Sequence, residues 1–311
     1  MKIMVTGGAG FIGSHIVDAY IIRGHKVCII DDLSTGKKEN INPKATFHQL
    51  DIRDASSVEQ VFQRERCQVL NHHAAQMDVR RSVADPAFDA SVNIIGILNL
   101  LEAGAQSGLQ RVIFASSGGA IYGEQDVFPA NETHPCRPIS PYGVAKLSSE
   151  QYLFYYKAVY GIEFTNMRYA NIYGPRQNPG GEAGVIAIFT TKMLKHESAY
   201  VNGDGMQTRD YTFVGDVVKA NVLALEGSGS DSFNIGTGIE TNVNQLFDRL
   251  TVLTGTAIKR QHKDGKKGEQ LRSVLDASKA TRVLGWRPGV SLDDGLSRTV
   301  EFFKNGRINV A

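Results

Sequence analysis

The stretch that most constrains this chain is Thr6-Gly-Gly-Ala-Gly-Phe-Ile-Gly13, which follows a strand-like run, Lys2 to Thr6, and opens a helix-like segment, Ser14 to Ile22. Glycines at 7, 10 and 13 permit a tight turn, close backbone approach to a pyrophosphate and a helix packed hard on its strand. Amides at the helix N-terminus meet the negative charge. A second strand-like run, Lys26 to Asp31, ends on a carboxylate eighteen residues after Gly13, where it can accept hydrogen bonds from an adenosine ribose. A bare glycine pattern is weak, because Gly-rich turns are common. Strand, loop, helix, strand and acid in that order predict dinucleotide binding. Asp31 and Asp32 would repel a 2′-phosphate, so NAD is favoured over NADP, with Lys37 and Lys38 the local argument against. No Gly-Lys-Ser/Thr follows the glycines, which disfavours a P-loop kinase.

The pattern continues. Val69 to His72 and Arg111 to Ser116 are further apolar or β-branched runs, separated by helix-like segments such as Val92 to Ala105. Gly161 to Arg168 is another run, after a long helical stretch from Tyr142 to Tyr160. This alternation predicts an α/β chain: a doubly wound parallel sheet of Rossmann type, covered on both faces. After Asn171 the texture becomes turn-rich, from Tyr173 to Gly184, and shorter elements follow. We expect a smaller, interleaved C-terminal α/β substrate domain. The division is 1–170 for the dinucleotide-binding part, with returns near 211–236, and 171–210 with 237–311 for the second part, to which the resemblance described below assigns the nucleotide sugar. Tyr211 to Ala224 and Ser232 to Ile235 are expected to rejoin the first unit.

Composition narrows the partners. The 311 residues carry 34 Lys+Arg against 32 Asp+Glu, a formal charge of +2 that supplies no footprint for nucleic acid or an anionic membrane. The 32 glycines against 9 prolines exclude disordered and collagen-like chains. Cys28, Cys67 and Cys136 form neither CxxC nor a disulfide framework, which reads as a reducing cytoplasm. No signal peptide is expected, nor an apolar run near the ~18 residues a membrane span needs.

Pro141-Tyr142-Gly-Val-Ala-Lys146 places a tyrosine and a lysine one helical turn apart. A neighbouring ammonium lowers the phenol from its usual ~10 and makes it an acid or base near neutrality. An exposed helix pair would look the same. The hydroxyls of Ala115-Ser116-Ser117, at the end of a parallel strand where such sheets place ligands, turn the pair into a chemical set. His72-His73 point to opposite faces of a strand without HExxH or a carboxylate cluster, so no metal is expected. Trp286 reads as packing beside Pro288.

Together these motifs resemble the extended short-chain dehydrogenase/reductase family, and within it the UDP-glucose 4-epimerases. The likeness runs through Thr6 to Gly13, Asp31-Asp-Leu-Ser-Thr-Gly36, Asp51-Ile52, His73-Ala-Ala-Gln76, Asn93, Phe114 to Gly123, Tyr142 to Lys146, Arg168 to Gln177, Gly203 to Asp210, Asp276 to Ala280 and Leu284 to Pro288. The resemblance implies NAD held by Gly7, Gly10, Phe11, Ile12, Gly13, Asp31, Asp32, Leu33, Ser34, Thr35, Gly36, Asp51 and Ile52. Ala74, Ala75, Gln76, Asn93, Tyr142, Lys146 and Tyr169 would complete the cofactor site. It implies a UDP-hexose held by Ser117, Tyr142, Asn171, Val185, Tyr200, Asn202, Arg209, Tyr211, Lys266, Glu269 and Ser273. Arg209 would meet the diphosphate rather than pair with Asp210, and Lys266 stands where relatives place an arginine.

The implied catalytic set is Ser117, Tyr142 and Lys146. Ser116-Ser-Gly-Gly-Ala-Ile-Tyr122 is one residue longer than in many relatives; counting forward from Phe114 or back from Tyr142 selects Ser117, with Ser116 the alternative. The implied reaction interconverts UDP-glucose and UDP-galactose through a 4-keto sugar. A small residue at Ser273 would leave room for UDP-GlcNAc and UDP-GalNAc. Dehydratases of the family usually show Thr-Asp-Glu where this chain has Ser117-Gly118-Gly119, and Asn178-Pro179 replaces the basic residue of glucuronate enzymes. Another nucleotide-sugar epimerase or dehydratase, or a non-catalytic NAD-binding regulator, are the alternatives; the regulator is disfavoured because Tyr142 and Lys146 are both present. The resemblance also implies a homodimer through Val92 to Ala105 and Tyr142 to Tyr160, whose excess of apolar and aromatic residues core packing would equally explain.

Overall fold

The structure is a computed structural model and describes residues 1–180, 184–265 and 270–305. Strands β1 (Lys2–Thr6), β2 (Lys26–Asp31), β3 (Thr46–Gln49), β4 (Val69–His72), β5 (Arg111–Ser117) and β6 (Glu163–Tyr169) lie in one parallel sheet, which Asp231–Ile235 completes. With Asp231–Ile235 as the outer neighbour of β6, the order is β6-β5-β4-β1-β2-β3, and it reverses between β1 and β4. Ligands of doubly wound sheets sit at the carboxyl ends of strands at this reversal. Five residues of β2 are buried in succession, the pattern of a parallel strand covered on both faces rather than one.

Helix α1 (Phe11–Ile22) covers one face, together with Val214–Glu226 and the fully buried Trp286. The indole Nε1 donates to the carbonyl of Asp216 at 2.8 Å, so the expected packing residue also satisfies its polar atom. Helix α2 (Ala55–Glu65), the helical run 86–106 and Pro141–Tyr160 cover the other face over Met4, Cys28, Phe62 and Leu100. Each such fully buried apolar side chain contributes about 1.5–3 kcal/mol.

The run 86–106 corrects two expectations. It is not one regular helix: α3 (Val79–Ala84) and α4 (Pro86–Ala90) lead into a π-helical turn, Ser91–Ile95, before α5 (Gly96–Gln106). With 21 residues and a mean hydropathy of 1.2 it is also long and apolar enough, by composition, to cross a membrane. In the fold it is a core helix, with Ile97, Leu100 and Leu101 wholly buried.

Beyond β5 come α6 (Gly118–Ile121) and α7 (Pro141–Tyr160). Ser140 caps α7 by accepting from the Gly143 amide at 3.1 Å, Pro141 fills the first turn and Gly161 ends it in the left-handed region at φ 72°. After β6 the chain builds a second sheet. Strand β7 (Asn171–Tyr173) precedes α8 (Val185–Leu194) and β8 (Tyr200–Asn202), and β9 (Thr208–Phe213) precedes α9 (Val214–Glu226) and β10 (Asp231–Ile235). β9 pairs with β7, with β11 (Glu240–Asn242) and with Arg272–Ser273. The segment expected to return from Tyr211 onward therefore divides: Tyr211 to Phe213 stay in the second sheet, α9 packs on α1, and β10 joins the main sheet.

Helix α10 (Val243–Thr254), β12 (Gln261–Lys263, beside β8), β13 (Arg272–Ser273), α11 (Ser278–Leu284) and α12 (Leu292–Lys304) finish the described chain. Phe189, Phe247, Leu250, Leu296 and Val300 form a separate core between α8, α10 and α12.

A β-carbon at Gly13 would stand 2.2 Å from the Gly7 carbonyl oxygen, a backbone atom that cannot swing away. Replacing Gly13 with Ala therefore has to displace α1 or the turn, and should destabilise the chain by about 1–3 kcal/mol in thermal unfolding; an unchanged transition would show that the loop is not tightly packed.

Candidate active site

The ends of β1, β2 and β4 meet at the reversal of the sheet. Gly7 adopts φ +68°, and a β-carbon there would fall 2.7 Å from the Ala74 amide, so the loops after β1 and β4 touch backbone to backbone. The first bond within α1 runs from the Ser14 amide to the Gly10 carbonyl at 3.2 Å, which leaves the amides of Phe11, Ile12 and Gly13 at the open end of the helix. Asp31 is buried and binds this loop itself: Oδ2 accepts from the Ala9 amide and Oδ1 from the Leu33 amide, both at 2.9 Å. Burial raises its pKa, and those two amides oppose the shift. Leu33 adopts a left-handed φ of 61°, while Asp32 folds the same turn by accepting from the Ser34 amide and hydroxyl at 2.9 and 2.6 Å. A β-carbon on Gly36 would strike Asp31 Oδ1 at 2.6 Å, so the turn that runs through Ser34 and Thr35 brings both its ends, Leu33 and Gly36, against the Asp31 carboxylate.

Asp51 and Ile52 lie further along. Asp51 pairs with Arg53 Nη2 at 2.5 Å, and Ile52 is buried against Gly96 of α5. After β4, the Thr6 hydroxyl lies 2.6 Å from His72 Nδ1, and the amides of His73 and Ala74 donate to it. Ala75 lies between Ala74 and Gln76 in this loop. Asn93 holds the loop rather than presenting its amide freely: Oδ1 accepts from the Gln76 amide at 3.0 Å, and Nδ2 donates to the Gln76 carbonyl and to Asp89. Tyr169 also departs from a simple lining role, because its hydroxyl accepts from Asn221 Nδ2 at 2.8 Å and meets His73 Nε2 at 3.0 Å beneath the loop.

Tyr142 and Lys146 share one face of α7. Lys146 Nζ lies 5.7 Å from the centroid of the Tyr142 ring and 4.8 Å from that of Phe114. Only 4% of Lys146 is exposed, and burial lowers its ammonium to about 8, with Asp89 opposing the shift. Glu150 is one turn further on. It accepts from Arg168 of β6 through Nε and Nη2 at 3.1 and 2.7 Å and from the Ser116 hydroxyl of β5 at 2.5 Å.

Successive strand residues point to opposite faces, so Ser117, the last residue of β5, points away from the Ser116–Glu150 contact. Ser117 Oγ, Ser273 Oγ and Asn171 Oδ1 converge around Gly119, at 3.9, 3.9 and 4.0 Å from the position its β-carbon would take. The three come from β5, β13 and β7.

The second sheet places Arg209 level with Ser273 on one side and Thr241 on the other, and Tyr211 level with Asn171. Arg209 Nη1 donates to the Thr208 carbonyl at 2.8 Å, while the Asp210 carboxylate accepts from Thr237 and Gly238. Val185 opens α8. Tyr200 and Asn202 lie apart, on β8, where the Lys263 ammonium sits 3.6 Å from the Tyr200 ring centroid. Lys266 and Glu269 lie outside the described residues.

The model of the NAD dependent epimerase/dehydratase family matches residues 3–236. The chain belongs to that family. Among solved structures, a UDP-glucose 4-epimerase with UDP-glucose from Thermotoga maritima is 51% identical, with a TM-score of 0.97 over 98% of this chain and 99% of that one. The UDP-glucose 4-epimerase of Thermus thermophilus in complex with NAD is 43% identical, with a TM-score of 0.94 over 98% and 100%. A UDP-N-acetylglucosamine 4-epimerase from Methanobrevibacter ruminantium, in complex with UDP-N-acetylmuramic acid, is 35% identical, with a TM-score of 0.92 over 98% of each.

NAD is the cofactor of this epimerase/dehydratase family member. The residues fit it on their own geometry: the Gly7–Gly13 turn is a cradle that side chains would fill, helix amides face its open end, and an acid closes its far side. The clamp of Glu150, Arg168 and Ser116 is absent from the sequence reading. Its signal was available, since Tyr142, Lys146 and Glu150 are each four apart. Asp89 left no comparable signal.

Only 8% of Arg168 and 3% of Glu150 is exposed. Removing one partner of a buried pair strands the other charge, so Arg168→Ala should cost about 3–5 kcal/mol in denaturant unfolding; a cost below about 1 kcal/mol would make the pair no better than a surface one.

Proposed function

We propose that this chain is an NAD-dependent UDP-hexose 4-epimerase that interconverts UDP-glucose and UDP-galactose. The observation that carries the reading is the Tyr142–Lys146 pair on α7, a helix tied through Glu150 to the strand that ends at Ser117, on a chain similar over nearly its whole length to solved 4-epimerases. We assign the dinucleotide to 1–170 with the returns α9 and β10, and the nucleotide sugar to the second sheet and the helices around it.

Bound NAD supplies reversible hydride acceptance at a sugar carbon. Tyr142 takes the proton of the 4-hydroxyl as the 4-keto form develops and returns it when the carbinol re-forms on the other face. Below about pH 8 the buried Lys146 keeps its proton, and a cation one turn away stabilises the phenolate. Ser117 holds the same oxygen by a hydrogen bond. Ser116 cannot take that role while its hydroxyl is bound to Glu150. Arg209 offers a planar cationic fork to the diphosphate.

A neutral hexose suits this pocket. Arg176, the cation beside the Asn178-Pro179 position where glucuronate enzymes carry a basic residue, is paired to Asp18 at 2.8 Å. The Ser117-Gly118-Gly119 segment supplies no acid pair for dehydration. Ser273 is small, so UDP-GlcNAc and UDP-GalNAc are proposed as further substrates, in keeping with the N-acetylglucosamine specificity named for one relative. The free cysteines fit a cytoplasmic site.

We also propose a homodimer. Tyr152, Tyr155 and Val159 form an exposed stripe on α7, at 38%, 47% and 58%, flanking the buried Ala145, Ser149 and Tyr156. A contiguous apolar stripe of this kind marks an interface more often than open surface. Tyr155→Glu should shift the protein to monomer in sedimentation velocity; a parent that is already monomeric would sink the proposal.

The reaction is tested by incubating purified protein without added NAD with UDP-galactose, UDP-GalNAc and UDP-glucuronate separately. The first should convert, the last should not, and no conversion of any sugar would favour a regulator. Tyr142→Phe should lower turnover by about 10²–10⁴-fold while NAD stays bound; near-parental turnover would remove Tyr142 as the acid/base.

A further inference from the structure

Two adjacent glycines follow Ser117, and the fold requires only one of them. A β-carbon at Gly118 would strike Leu275 Cδ1 at 2.6 Å, so packing accounts for that residue. Gly119 has no such neighbour: the nearest atoms to its β-carbon position lie at 3.9, 3.9 and 4.0 Å, ordinary contact distances. Its backbone is helical, within α6, where alanine is favoured over glycine. Neither conformation nor packing calls for glycine here.

All three of its nearest atoms are polar: Ser117 Oγ, Ser273 Oγ and Asn171 Oδ1. They come from three separate strands and enclose a space about one methyl group wide, above a half-buried residue. Two hydroxyls and an amide oxygen offer donors and acceptors without a charge, a set that matches the hydroxyls of a neutral sugar and gives a carboxylate no counter-ion.

We propose that Gly119 is a specificity-determining residue of the hexose subsite, and that its missing side chain is the space the sugar ring enters between Ser117, Asn171 and Ser273. This rests on the reading of the site as a UDP-hexose site. The alanine methyl would occupy that space without disturbing the fold, and a single misplaced methyl group in such a pocket changes discrimination by about 10–200-fold.

The test compares parent and Gly119→Ala on UDP-galactose and UDP-GalNAc, together with thermal unfolding and the amount of NAD retained on purification. The inference expects an unfolding temperature equal to or above the parent's, unchanged NAD, and kcat/KM at least about tenfold lower, with the larger loss on the N-acetylated sugar. Parental kcat/KM on both sugars would overturn it. So would activity lost together with thermal stability or NAD, which would make Gly119 a packing residue. A parent inactive on every UDP-sugar would instead overturn the reading of the site, and this inference with it; an active parent with an equally active variant overturns the inference alone.

Discussion

The site depends on one buried ion pair. Glu150 and Arg168 join α7 to β6, and the Ser116 hydroxyl on the same carboxylate joins both to β5. Together with the more exposed Lys157–Glu163 pair of α7 and β6, this holds the helix bearing Tyr142 and Lys146 in register with the strand end bearing Ser117. The connection extends outward. Arg168 also donates to the Tyr122 hydroxyl at 3.0 Å, Tyr122 donates to Asn234 of β10, and the Asn234 amide nitrogen reaches the carbonyls of Ala130 and Asp276. One network therefore runs from the main sheet to the segment that pairs with Leu275 beside the second sheet. Buried charges are costly to desolvate, and an apolar substitute of the same shape could be as stable. What the charged version supplies here is direction: the Glu150 carboxylate is met from two different strands at once.

A second constraint surrounds Lys146. An ammonium this deeply buried is held only because its neighbours do not compete. His72 and His73 both lie close, and burial keeps both neutral, His73 down to about 3. Asp89 is the opposing charge. One of its oxygens accepts from Gln76 and Asn93, and the other has no hydrogen-bond partner among the described residues, so it retains negative potential in the interior. The Gln76 loop, the π-helical turn carrying Asn93 and the charge of Lys146 are coupled through this one carboxylate. The irregular turn at Ser91–Ile95 is where Asn93 meets the Gln76 backbone.

Much of this was legible in the sequence where a local rule governs. The glycine spacing marked the turn from β1 into α1, apolar runs gave β1, β2, β4 and β5 within a residue, and the four-residue spacing placed Tyr142 and Lys146 on one face. β3 was missed because Thr46–Gln49 is a short edge strand with no fully buried residue, so it lacks the apolar run that marks its neighbours. Counting from Phe114 or Tyr142 favoured Ser117 over Ser116, and what spacing could not show is that the Ser116 hydroxyl is engaged by a residue 34 positions away. Asn93 and Tyr169 were assigned to the cofactor by resemblance, and only the folded chain shows that their polar atoms are engaged with the protein. Gly119 was visible as a letter and silent as a reason, because two of the three atoms that surround it come from strands far downstream in the chain, at Asn171 and Ser273.

Parallel topology explains why so few motifs suffice. Because every strand of the main sheet runs the same way, Thr6, Asp31, His72, Ser117 and Tyr169 all end strands on one edge, although the sequence scatters them. The edge has a net charge problem to solve, since a dinucleotide and a nucleotide sugar each bring a diphosphate while the chain carries only +2 overall. For the dinucleotide, the open amides of α1 would answer it without adding side-chain charge, and Arg209 is the cation proposed for the other. An amide at a helix end can be aimed only if the turn before it is tight, and a tight turn against a neighbouring loop 2.7 Å from a would-be β-carbon tolerates only glycine. The excess of glycine and the balance of charge are thus one solution: where ligand charge is met by main chain, side chains must be removed to let it approach.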